Sequence, residues 1–523
     1  MTNHLDQSTP SQLGALRANV PPRALTVKRF VLYSAATIAA LILVLMLYVG
    51  WIVHQPRGKP GKYAAEINAL VREGQSVAGP NGFDVLRELI AAVDAAEAVT
   101  LATLRGPVKP GEVQYDELFI VAAADSNATD GEQREQRLKA ARACFEAVMQ
   151  GPAVALMDKL TAATWAARQV PTDRSIFADT IPELSTSRRI ARLCMARFHF
   201  AVEQGDTPAA LASIRCALAV ARYCGHQYLM IDGLVSIAID ALVYGRVRVV
   251  ALSSPRDPAL LAGLLSAIRD SPLTDISKNL RGERLSVLDI IEVSHTDGGS
   301  GDGVLLYNPS DFAGPVAERG SSPALGLLFA RKRATVAKAN EYFDLVDAAA
   351  TAPTFAAAAA NFDRMIKFAN SLGRHYVLLK MVMPADGRLV NSRFALITER
   401  NATLCLLAVE IAEQQTGSLP ASLESLTMPR GEFPALLSPA DLLDPCSGKP
   451  LVYRVGKPFE QSFKAASASA TAASPSRPRR YVLCSVGADG VDDGGAMPAN
   501  TNDRRQVLMT VTPGYDYDFA AEE

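Results

Sequence analysis

The chain has 523 residues, 49% of them hydrophobic and 20% charged, with a formal net charge of −1. That length suits two or three domains, and the apolar content can fill a large core. With no dense basic block beyond the N-terminal region, the sequence argues against a nucleic-acid partner, which requires a concentrated positive face.

The N-terminal 29 residues are expected to form a short disordered cytoplasmic tail. Residues 30–53 follow as FVLYSAATIAALILVLMLYVGWIV, a run without a charged side chain. About 20 apolar residues suffice to cross a bilayer core. Lys28 and Arg29 precede the run, Arg57, Lys59 and Lys62 follow it, and Tyr48 and Trp51 lie near its end, as at a lipid–water interface. A cleaved signal peptide has a shorter apolar stretch and a small-residue cleavage site, which YVGWIVHQPRGKPG does not offer. The expectation is a single-pass anchor in the cell inner membrane, with the N-terminus cytoplasmic and the bulk extracytoplasmic.

Residues 54–385 read as an α-helical body, rich in alanine and in apolar spacings of three and four. Ser187 to Cys224 predicts an α-hairpin broken at Gly205-Asp206, with Thr207 as N-cap and Pro208 at the first helical position. No copy recurs at a fixed period, so an irregular array of α-hairpins is expected rather than a regular solenoid. Tyr228 to Leu252 is apolar, but Asp232, Asp240, Arg246 and Arg248 make it a buried soluble helix, its acids engaged in salt bridges. Helices are also signalled after Asp257-Pro258, over Ala330 to Val346, and around the alanine run from Ala356. Ser294 to Gly303 (SHTDGGSGDG) gathers His295, Asp297 and Asp302 among glycines. Its spacing fits neither an EF-hand nor a glycine-rich β-roll repeat, and a flexible surface loop is expected.

The pattern changes in residues 390–520. A helix over about Arg393 to Glu413 ends at Gly417, and Pro450–Arg454 and Arg480–Val486 read as antiparallel strands. Between them 464–480 is a flexible insertion of small and polar residues. Cys446 and Cys484 flank these strands and could approach disulfide distance, which would indicate an oxidising compartment.

This order of elements resembles the C-terminal globular domain of the type II secretion major pseudopilin. The matching residues are Gly417-Ser-Leu-Pro420, Leu423 and Leu426, Asp444-Pro445-x-x-Gly448-Lys-Pro450, Tyr453, and Ser485-Val-Gly-Ala-Asp-Gly490 followed by Asp492-Asp-Gly-Gly495. The resemblance implies a small α+β pseudopilin-like module whose final loop binds calcium. Asp489 and Asp503 are then the side-chain ligands, with Asp492 and Asp493 as substitutes. A solvated acidic turn is the other reading of the same residues. The chain departs from that family in lacking its processing glycine and mature glutamate before the apolar helix, and in placing a long helical body between anchor and module. A related module in a membrane-anchored envelope protein is implied, not a pilus subunit.

The sequence carries no G-x-S-x-G, G-x-x-x-x-G-K-[ST], H-E-x-x-H or strand-linked G-x-G-x-x-G motif. None of the six histidines neighbours another at metal-ligand spacing. The functional expectation is therefore a single-pass extracytoplasmic interaction or scaffold protein with a protein partner in the envelope, associated with a secretion or surface-assembly system. The alternative is an extracytoplasmic hydrolase using Asp232, Asp240 or Glu283 of the helical body.

Overall fold

The computed structural model describes residues 24–56, 58–104, 108–119, 128–176, 181, 183–253, 257–297, 302–306, 325–383, 387–455, 480–498, 506–509, 514 and 516–520. Residues 1–23 of the expected tail, the insertion up to 479, and Asp503 lie outside them.

The chain is mainly helical, with small sheets near its end. Helix α1 (Ala24–Val53) already begins inside the expected tail. Within it, Phe30–Trp51 is long and apolar enough to cross a membrane, and none of that stretch is buried by the rest of the protein. After α2 (Ala64–Arg72) and α3 (Gly82–Leu104) come α4 (Ala128–Gln150) and α5 (Ala153–Ala162).

The predicted hairpin is α6 (Glu183–Glu203) and α7 (Thr207–Gly225), which pack on each other. Its cap differs by one residue from expectation. Asp206 is the N-cap, its carboxylate accepting from the Ala209 amide at 3.0 Å, while the Thr207 hydroxyl donates to Asp257 instead. An ionised carboxylate is a stronger acceptor at a helix N-terminus than a hydroxyl. Gly205 makes the turn with φ +70°, a conformation that suits glycine.

Helix α8 (Met230–Leu252) is packed against α7, as a buried soluble helix should be. Then follow α9 (Pro258–Asp270), α10 (Ile276–Ser294), α11 (Lys332–Ala350), α12 (Phe355–Ser371) and α13 (Val377–Val382). Helix α10 crosses the start of α8 closely: a Cβ on Gly282 would lie 2.1 Å from the Tyr228 carbonyl oxygen. The segment after α10 is not the loose surface loop expected. His295 and Thr296 are buried, and His295 bridges to Leu305. Residues 298–301 of that loop lie outside the described set.

Helix α14 (Gly387–Thr416) is the organising element of the C-terminal part. Residues 401–412 are buried without a break, so both faces are covered. One face packs on α8 and α9; β1, β4 and the short α15 (Gln506–Met509) also pack against it. β1 (Leu443–Asp444) pairs antiparallel with β2 (Lys449–Pro450), and β3 (Val452–Val455), β4 (Tyr481–Ser485) and β5 (Tyr517–Asp518) form a second antiparallel sheet. The two predicted strands are β3 and β4, with Val452 opposite Cys484. The main hydrophobic core runs from Phe83 to Ala520, continuous through α14.

All seven cysteines are free and buried, so the Cys446–Cys484 pairing that the sequence left open is not formed. Cys446 sits in the tight turn between β1 and β2, where its thiol faces Thr398 and the Leu508 carbonyl, both at 3.5 Å.

Candidate functional site

The turn before the acidic loop is built around Asp444, which is 1% exposed. Its Oδ1 accepts from the Cys446 amide at 3.0 Å and the Thr398 hydroxyl at 3.1 Å. Its Oδ2 accepts from Ser447 at 3.0 Å and Ser485 at 2.8 Å. Burial raises the Asp444 pKa while these donors pull it back. The side chain thereby ties the turn to α14 and β4. Its role is structural.

The acidic loop occupies residues 487–498, where Gly487, Gly490, Gly494 and Gly495 all have positive φ. Asp489 Oδ1 accepts from the Val491 amide at 3.1 Å, and Asp492 Oδ1 from the Gly494 amide at 3.0 Å. Asp492 Oδ2 pairs with Arg454 of β3. Asp516, just before β5, closes the loop from the inside. It is fully buried, its Oδ2 accepts from the Gly495 amide at 2.7 Å, and its own amide donates to the Ala496 carbonyl. Three carboxylate oxygens remain buried without a hydrogen-bond partner: Asp489 Oδ2, Asp493 Oδ2 and Asp516 Oδ1. Burial and the nearby Asp492 and Asp493 push Asp516 up to about 6.

Of the four acids expected as ligands, the structure places Asp489, Asp492 and Asp493 on this loop, and Asp503 lies outside the described residues. The sequence reading missed Asp516. Its signal was the alternation of aromatic and acidic residues in Tyr515-Asp-Tyr-Asp518, a strand-like period of two. Carboxylate oxygens on a glycine-rich turn are the donor type a hard cation prefers. Among the described residues, however, no three His, Cys, Asp or Glu side chains converge closely enough to hold a metal ion.

The acids of the helical body have other partners. Asp232 is held by both terminal nitrogens of Arg168, at 3.0 and 3.3 Å, and accepts from the Leu229 amide at 3.1 Å. Glu283 accepts from the Met230 amide at 3.0 Å. Asp240, 5% exposed, forms no ion pair among the described residues; burial pushes it up to about 8, with the Arg400 charge opposing. Burial also raises Asp232 and Glu283. A cavity of about 720 Å³ lies at α2 and α10, lined by Glu66, Glu73, Arg281 and Arg284, and one of about 390 Å³ lies at α11–α13. Neither is lined by Asp232, Asp240 or Glu283.

Compared with models of known protein families, with characterised proteins and with solved structures, the chain matches none.

Proposed function

We propose that the chain is a single-pass membrane-anchored interaction or scaffold protein of the inner membrane. In this reading its helical body and C-terminal module lie on the extracytoplasmic side and serve a secretion or surface-assembly system through a protein partner. The observation that carries it is α1: Phe30–Trp51 is apolar and almost entirely exposed, a state that water penalises and lipid does not. The packed body beyond it supports the same reading, since two of its three candidate acids are engaged by internal donors and neither cavity is lined by any of the three. The hydrolase alternative draws on the raised pKa values of Asp232, Asp240 and Glu283, and needs a route from solvent to them.

The C-terminal residues act here as a pseudopilin-like module, by the resemblance given above. Calcium is its stabilising ion, held by Asp489, Asp492, Asp493 and Asp503, with the unpartnered Oδ1 of Asp516 joining from just before β5. An ion at this point would neutralise the crowded carboxylates and fasten the loop to the last strand.

Carbonate extraction of membranes and external protease on spheroplasts test the placement. The chain should stay with the membrane, and its body should be digested; release by carbonate or a protected body would refute it. Pull-down of the detergent-solubilised chain with and without calcium then tests the partner. For the ion, added calcium should raise the melting temperature of the wild type but not of Asp516→Asn, and no shift in either would remove calcium from the proposal.

A further inference from the structure

The segment leaving α1 is fastened to the body rather than hanging free. Tyr48, inside the apolar stretch of α1, packs on the buried Val304 and Leu306. The Asp297 amide donates to the Pro56 carbonyl at 2.7 Å, and the Gly58 amide to the His295 carbonyl at 3.2 Å. Lys62 pairs with Glu292 at 3.0 Å. Tyr48 lies one helical turn before the end of the apolar stretch at Trp51, so residues 304–306 sit at the depth where a spanning helix leaves the hydrocarbon.

Two further segments are built onto that point. The Lys332 amide donates to the Gly303 carbonyl at 3.0 Å, and the Ala330 amide to the His375 carbonyl at 2.8 Å. Gly326 lies so close to Leu305 that a Cβ there would be 2.3 Å from its carbonyl oxygen. Residues 325–333 (LGLLFARKR) and 373–383 (GRHYVLLKMVM) contain five Lys or Arg and no acid. Glu292 neutralises Lys332, and Asp302 faces Arg331. Arg333, Arg374 and Lys380 stay exposed, beside Leu328 at 68% and Met381 at 50% exposure.

We propose that this face, basic with apolar tips, rests on the anionic headgroup surface of the same bilayer that α1 crosses. The inference depends on α1 spanning a membrane. Exposed cations are attracted to an anionic lipid surface, and leucine and methionine beside them can enter the headgroup–acyl boundary. The body would then be held at two points, which fixes its tilt relative to the membrane.

Because every native cysteine is buried, a single introduced thiol can be labelled selectively. The full chain, labelled with a fluorophore at Leu328→Cys or at Leu43→Cys, is reconstituted into phosphatidylcholine vesicles with or without about a third phosphatidylglycerol. Nitroxide headgroup lipids should quench the Leu328→Cys label in the anionic vesicles. Adding Arg333→Glu, Arg374→Glu and Lys380→Glu should shift its docked–undocked equilibrium by about a hundred-fold or more. Acyl-chain bromine should quench the Leu43→Cys label throughout. If that α1 label is quenched but the Leu328→Cys label is not, or if charge reversal changes nothing, the headgroup contact is refuted. If the α1 label is never quenched, the anchor reading falls, and this inference falls with it.

Discussion

Arg168 and Asp232 form a two-pronged ion pair with both partners almost completely out of water, at 5% and 0% side-chain exposure. Arg168 precedes α6, and Asp232 sits in the first turn of α8, so one guanidinium links the approach to the hairpin with the next helix. The Tyr228 ring lies 4.9 Å from that guanidinium. Removing one partner of a buried pair strands the other charge, at about 3–5 kcal/mol. Asp232→Ala should therefore lower unfolding stability by about that amount, while Arg168→Met with Asp232→Leu recovers most of it. Denaturant titration in detergent measures both, and a double variant no better than the single would contradict the account.

Asp240 has a different pH signature. Its pKa in the folded chain, about 8, stands above the ordinary carboxylate value because burial disfavours the charge. The folded state thus holds a proton that the unfolded chain releases near pH 4. Its contribution to stability is fully present below about pH 4 and is lost as pH rises towards 8. Asp240→Asn has no such proton to lose. The melting temperature of the variant minus that of the wild type should widen between pH 4 and 8, then level off. A constant difference across that range would show that Asp240 is ionised in the fold.

His226 gives the opposite limb. Burial, with Lys278 and Arg222 nearby, lowers it to about 4, while Asp275 opposes. A histidine depressed below its unfolded value near 6.5 stabilises the fold above that pH, and the contribution is lost as pH falls towards 4. His226→Gln should flatten the acid-side fall in melting temperature over that window. An acid limb as steep as that of the wild type would assign it to other groups.

Gly58 is the residue that allows the strap beneath α1 to close. A Cβ there would lie 2.0 Å from the Glu292 carbonyl oxygen, whereas Gly50 has nothing within 4 Å. Overpacking of this kind costs about 1–3 kcal/mol or displaces the segment. Limited proteolysis in detergent should cut Gly58→Ala faster than wild type between residues 54 and 62, with Gly50→Ala unchanged. Equal resistance of the two variants would mean that the strap does not depend on this approach.

Much of the architecture is written in local pattern. The apolar run of α1, the hairpin at Gly205, the Asp257-Pro258 start of α9 and the strands β3 and β4 follow from hydropathy period, capping and turn residues within one window. The hairpin cap lies one position before the residue the pattern predicts because Asp206 and Thr207 are both competent caps, and only the packed helix start selects the carboxylate. The all-round burial of α14 over residues 401–412 was not legible. Its apolar face at Leu396, Leu404 and Leu407 predicts one covered side, and the second cover comes from strands and a short helix near the chain end.

The sequence by itself determined a charge-free helix of membrane length, a mainly helical body and a short β-rich ending, because each depends on residues a few positions apart. Tertiary structure alone decided that Arg168 meets Asp232, that Asp516 closes the acidic loop, and that Glu292 receives Lys62 from the far side of the chain. Those pairings join residues up to 230 positions apart, and the packing of loops against helices and strands, not local propensity, brings them within hydrogen-bond range.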